Sequence, residues 1–297
     1  MGPQPFSARP SPPLTRTDAM VKGRDGDADL VARCHANTVE DYRAFARVSR
    51  SGAIEEVPGL VLISTGDSDS MGNPAFVTHV PSDPDGLIRR VTEFFEGRRL
   101  PWILIAFPEA ADALRDPARA AGLRDEGAFP GMVLRPLPSR PSPLPEGFRV
   151  HRVETPPELE ALERTGSSAY GKEYVPPDGD WLNAPGVSLY LGYRGKTPVS
   201  LGALIVAHRI AGIAYVGTVP DQRRQGFAEA IVRRAIADGR ASGCDAAYLW
   251  ATPMGRTVYE RMGFRRLLDY QIWSAPHSPM PAAIRRPAGG RRPSAPG

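Results

Sequence analysis

Between residues 30 and 51, apolar side chains recur at helical spacing: Leu30, Val31, Cys34, Val39, Tyr42, Phe45 and Val48. A second stripe, Leu87, Val91, Phe94 and Phe95, predicts a helix over 83–97, with Asp83 as its cap and Pro84 at its first position. Strands are expected at 57–64, 75–80, 102–107 and 128–134, where β-prone apolar residues run almost unbroken. Residues 110–122 read as a short helix, kinked or split at Pro117.

Residues 136–147 hold five prolines and read as a semi-rigid linker. Beyond it, 148–153 reads as a strand. Thr155 and Glu158 form a capping-box pattern that opens a helix running toward Gly166. Residues 169–181 are irregular, with a loop cluster at Pro176, Pro177, Asp178 and Gly179. Strands at 187–193 and 199–209 precede the most regular stretch, 212–243. There a strand over 213–219 meets a short turn and then a helix with Phe227, Ile231, Ala235, Val232 and Ile236 on its apolar side. A strand at 246–251, a short helix at 256–262 and a strand at 264–273 close the half. This order fits a mixed α/β sheet covered by helices. The expected organisation is a disordered tail over 1–29, a first domain over 30–135, the linker, a second domain over 148–274 and a second disordered tail over 275–297.

The turn in 212–243 carries candidate chemistry. The first N–H groups of a helix lack intrahelical partners, and the helix dipole favours an anion there by about 0.3–1 kcal/mol when exposed. Gly226 and Ala228 leave the backbone open to a phosphate, and Arg223 and Arg224 bring two cations. On these residues alone, a phosphate site and an ordinary strand–helix turn stand level.

Composition narrows the classes. Net charge is +4, lysines occur only at 22, 172 and 196, and no dense basic run interleaves with aromatics. A nucleic-acid partner is therefore not expected. Cys34 and Cys244 have no paired spacing, and the five histidines form no HxH or HExxH pattern, so neither a disulfide nor a metal is expected. The first 29 residues lack the apolar core of a signal peptide, and the longest apolar runs are strand-length. The expectation is a cytoplasmic chain, monomer or homodimer, with no membrane partner.

Two motifs in order resemble the GCN5-related N-acetyltransferases (GNAT). The first is Arg223-Arg224-Gln225-Gly226-Phe227-Ala228 after the strand ending Val216-Gly217-Thr218-Val219-Pro220. The second is Tyr259-Glu260-Arg261-Met262-Gly263-Phe264 after the strand at 246–251. The resemblance covers about 147–274. It implies a GNAT-like acyl-CoA N-acyltransferase fold and an enzyme that moves acetyl from acetyl-CoA to a primary amine. It implies that the pyrophosphate lies on the N–H groups from Arg224 through Gln225, Gly226 and Phe227 to Ala228. Val216, Gly217 and Thr218 would splay from the neighbouring strand to pair with the pantetheine arm. Tyr259 would protonate the leaving thiolate, whereas by itself it also reads as a helix aromatic packed on the sheet.

Thr252 stands where many members carry a CoA-contacting Asn. No carboxylate lies on the 213–219 strand, where members often place a base; Glu173, Asp180 and His208 are substitutes by residue type. Tyr170, Tyr174 and Trp181 are candidates for the acceptor pocket. The missing strand carboxylate keeps a second reading alive, a non-catalytic CoA-binding sensor. A different nucleotide-phosphate binder is disfavoured, because no Gly-Lys-Ser/Thr follows the glycine turn. The first half echoes the second in element order and in Gly122-Leu123 before its last strand. It reads either as a degenerate tandem GNAT-like copy, without an anion-cradling turn, or as an unrelated α+β domain.

Overall fold

A computed structural model describes residues 25–140, 142–173 and 179–278. Tyr174 and the Pro176–Asp178 cluster lie outside the described residues, as do most of both expected tails. Helix α1, Asp25–Val48, begins inside the segment expected to be unstructured, and Ala275 and Ser278 are buried at the other end. Strands β1 (Ala53–Val57), β2 (Leu60–Ser64) and β3 (Pro74–Val77) follow. The single strand expected over 57–64 is thus part of a hairpin, turned at Pro58-Gly59 with Gly59 at φ +82. Helix α2 (Pro84–Glu96) leads to β4 (Ile103–Ala106), α3 (Pro108–Ala120) and β5 (Arg124–Leu134). Pro117 sits within a continuous α3.

The second half comprises β6 (Phe148–Arg152), α4 (Pro156–Tyr170), β7 (Val187–Arg194), β8 (Thr197–Ala207) and β9 (Ile210–Thr218), followed by α5 (Phe227–Ala241), β10 (Ala246–Trp250), α6 (Arg256–Arg261) and β11 (Arg265–Ser274). The capping box of α4 forms as expected. The helix runs through Gly166 and ends at Gly171 in the left-handed region. Gly166 does not stop it because it serves packing: a Cβ there would meet the Tyr215 hydroxyl at 2.0 Å.

The halves are not separate bodies joined by the linker. Among the described residues, all eleven strands form one sheet, ordered β1-β2-β3-β4-β11-β5-β10-β9-β8-β7-β6. Each half sends its last strand into the other. β5 lies antiparallel against β10, β11 lies antiparallel against β4, and the two pair with each other. Apart from β6, an extra edge strand paired with β7 that opens the second half, both halves share one element order, with a helix, three antiparallel strands, a crossover helix to a parallel strand, a helix and the exchanged strand.

Alternation along the strands buries both faces. Leu62, Ala75 and Leu104 pack under α2 and α3, and Ile213, Ala247 and Leu249 pack under α5 and α6. Ile63, Phe76, Ile105, Ile210 and Tyr248 face α1 on the opposite side. Helix α1 therefore bridges both halves. Asn37 donates to the carbonyls of Ile205, Ala207 and Ile210, and Arg33 donates to those of His208 and Arg209 and pairs with Asp245. Among the described residues, no helix is long and apolar enough to cross a membrane.

Candidate active site

Strands β9 and β10 run parallel from Ile210↔Ala246 to Ile213↔Leu249 and then part. Beyond Ile213, β9 continues to Thr218 without β10 beside it. A bulge sets this departure. Between the pairs Leu201↔Gly217 and Ala203↔Ala214, Tyr215 and Val216 stand opposite Gly202 alone. Tyr215 takes φ +53, which is costly for a bulky residue. The surroundings hold it there: its ring stacks on Tyr170 at 5.5 Å and its hydroxyl donates to Glu163 at 3.3 Å.

Side chains secure the free part of β9. Tyr170 donates to the Val216 carbonyl at 3.0 Å, Ser200 to that of Gly217 at 2.7 Å and Arg223 to that of Thr218 at 3.1 Å. These side chains, from α4, β8 and the turn after β9, brace the strand where it runs on without β10. Arg223 also donates to the Ala169 carbonyl at 2.9 Å, so it ties β9 to α4.

The open fork forms one wall of a cavity of about 870 Å³. At one end lies the start of α5. Gly226 is its cap residue at φ +80, with no side-chain cap hydrogen bond, so the first N–H groups are not engaged by a side chain. Phe227 stacks on Phe148 at 4.2 Å and anchors this end of the helix. Glu229, the one acid in the first turn, is paired with Arg233. Arg224 is exposed and lines the cavity.

Tyr259 of α6 lines the other wall. Burial pushes its hydroxyl up to about 12, so the phenol stays protonated at neutral pH. Thr252 lines the cavity and caps the turn into α6, accepting from the Gly255 N–H at 3.2 Å. Val216, Gly217, Thr218, Arg223, Arg224, Gly226, Phe227, Ala228, Thr252 and Tyr259 all border the same cavity. Gln225 does not; its side chain is exposed and donates to Gln222.

None of the three substitute bases reaches the cavity. His208 sits in the β8–β9 turn at the far end of β9, Asp180 is held by Asn183, and Glu173 is exposed. Trp181 packs on Phe45, outside the cavity, whereas Tyr170 lines it. The first half supplies residues that sequence reasoning missed: Asn37, Asp41, Tyr42, Met71 and Phe129. A signal was present, since Asn37, Thr38 and Asp41 place polar groups beside the apolar stripe of α1. Burial raises the Asp41 carboxyl to about 7 and, with the nearby Asp67 charge adding to it, raises Glu163 to about 7 as well. Among the described residues, no group of three or more His, Cys, Asp or Glu is placed to hold a metal.

A family model described as the acetyltransferase (GNAT) domain matches residues 205–267, the span that contains the bulged strand, the Gly226 turn and Tyr259. The chain carries a GNAT acetyltransferase domain. That assignment supports an acyltransferase. Solved structures share the wider GNAT fold. A GCN5-related N-acetyltransferase from Kribbella flavida has a TM-score of 0.61 at 19% identity, over 81% of this chain and 95% of its own. One from Sphaerobacter thermophilus has a TM-score of 0.53 at 16% identity, over 85% and 92%. A tandem GNAT protein from the clavulanic acid biosynthesis pathway has a TM-score of 0.52 at 13% identity, over 84% and 94%. No curated protein matches the chain.

Proposed function

We propose that this protein is an N-acetyltransferase that moves the acetyl group of acetyl-CoA directly to a primary amine. The observation that carries this reading is the open β9–β10 fork leading to the uncapped start of α5. The backbone from Arg224 to Ala228 holds the pyrophosphate, with Arg224 adding charge. The unpaired edge of Val216, Gly217 and Thr218 takes the pantetheine amides as an added strand would. That extended arm ends at the bulge, where an N–H of β9 polarises the thioester carbonyl. The amine lone pair forms the new N–C bond, the C–S bond breaks with its electrons on sulfur, and Tyr259 protonates the thiolate.

The first half acts as a degenerate tandem copy that closes the cleft and binds no CoA. The reading places the enzyme in the reducing cytoplasm, where the buried thiols Cys34 and Cys244 stay unpaired. A thermal-shift titration with acetyl-CoA, CoA and ATP tests the donor. Acetyl-CoA and CoA should stabilise the protein, by about 2.7 kcal/mol at a hundredfold excess over Kd, and ATP should not. No response to either CoA species would reject the reading. Thiol release with an amine panel then separates an enzyme from a sensor.

A further inference from the structure

We propose that Asp41, on the helix of the first half, takes the proton from the acceptor ammonium in this reaction. The proposal rests on the acetyltransferase reading above. It starts from a gap: among the described residues, β9 carries no carboxylate from Ile210 to Thr218, and the chemistry needs an unprotonated amine.

Helix α1 runs alongside β9 in the same direction. Arg33 holds the turn at His208 and Arg209, and Asn37, one helical turn on, reaches the Ile210 carbonyl. Asn37 also fills the space over Gly212, where a Cβ would meet its Oδ1 at 2.1 Å. Asp41 follows on the same helix face, about 6 Å further along the axis. Two strand residues span about the same distance, which puts Asp41 level with Ala214, and both line the cavity. Ala214 is the first β9 residue beyond the last β10 pair, Ile213↔Leu249, at the apex of the fork.

Asp41 lines the cavity there and is half-buried. Burial alone accounts for its raised titration, with no hydrogen bond or opposite charge to offset it. A carboxylate left unpartnered in a cleft is costly unless something else meets it. An ammonium would do so. The titratable groups that line the cavity on this side are Tyr42 on α1, Tyr170 on α4, Tyr215 on β9 and Tyr248 on β10, all neutral phenols, whereas the other lining carboxylate, Glu229, is paired with Arg233 at the start of α5. Asp41 is therefore the carboxylate that an acceptor ammonium would meet at the fork.

The protons balance. The acceptor nitrogen loses two. The first passes from the ammonium to Asp41 and on to solvent. The second leaves as the N–C bond forms, and it matches the proton that Tyr259 gives the thiolate.

The test compares Asp41→Asn, Asp41→Glu and Glu163→Gln in the full chain. The probes are acetyl-CoA with spermidine, phenethylamine and a lysine peptide. In Asp41→Asn, acetyl-CoA should still raise the melting temperature as in the unmodified protein, while kcat falls about 100-fold and the KM for acetyl-CoA holds. The rise of kcat through pH of about 7 should disappear. Asp41→Glu should recover part of the rate, and Glu163→Gln should keep the pH limb. Three results would overturn the assignment: Asp41→Asn turning over within threefold of the unmodified protein, Asp41→Glu as inactive as Asp41→Asn, or a pH limb lost in Glu163→Gln instead. Failure of the unmodified protein to bind acetyl-CoA, or donor binding without thiol release for any amine, would instead overturn the underlying reading.

Discussion

The fork between β9 and β10 is open, and the equivalent fork between β3 and β4 is closed. In the first half the parallel pairing holds for the whole length of both strands, from Pro74↔Ile103 to Val77↔Ala106, and Phe107 adds one more bond to the Val77 carbonyl. No bulge turns β3 aside. The helix starts differ as well. Gly226 leaves the head of α5 bare, whereas Asp83 accepts from the Gly86 N–H at 2.9 Å, Pro84 removes a donor and Asp85 adds a second acid. An anion would meet repulsion at α2 and donors at α5. The same element order thus gives two outcomes, decided by one bulge and one capping residue. The closed half gains a sealed core under α2 and α3. The open half leaves β9 beyond Ile213 without β10 and braces it with Tyr170, Ser200 and Arg223.

The sharpest way to break this comparison is Gly226→Glu. It puts a carboxylate where the pyrophosphate would lie and a side chain at φ +80. Acetyl-CoA affinity should fall at least about 100-fold, read by calorimetry. Tyr259→Phe should come next, lowering kcat by about 10- to 100-fold with the Kd for acetyl-CoA nearly unchanged; an unaltered kcat would remove the acid role.

A third, smaller effect concerns pH. Burial lifts both Asp41 and Glu163 to about 7. Between the ordinary carboxylate range and pH 7, the folded chain keeps protons that the unfolded chain has released, so stability falls as pH rises through that window. Glu163→Gln should flatten this fall and raise the melting temperature at pH 8 relative to the unmodified protein, with little difference near pH 4. A melting curve unaffected at both values would contradict the burial assigned to Glu163. The smallest effect is expected from Asp83→Ala. Loss of the cap should cost about 1 kcal/mol, a few degrees or less in melting temperature. Acetyl-CoA binding should not change; weaker binding would place the donor in the wrong half.

Much of the site was legible because its signals are local. Asp83-Pro84, Thr155 with Glu158, and the glycine turn each announce a helix start within a few residues, and each start lies where expected. The motif from Tyr259 to Phe264 likewise falls at its strand–helix–strand junction. What escaped is non-local. Nothing in the patterns of β5 and β11 tells which half each strand joins, because the pairing partner lies far away in sequence. Gly166 looked like a stop because its reason for being small, the Tyr215 ring, arrives from another strand. Asp41 resembled one more polar residue on an amphipathic helix until the fold turned that face toward the fork. The three substitute bases came from residue type alone, and distance from the cavity removes them.

The most direct measurement is the stoichiometry of acetyl-CoA binding by calorimetry, on the unmodified chain and on Gly226→Glu. One molecule per chain in the first and none in the second is the predicted result. Two per chain, or undiminished binding in Gly226→Glu, would contradict the claim that only the open fork receives the donor.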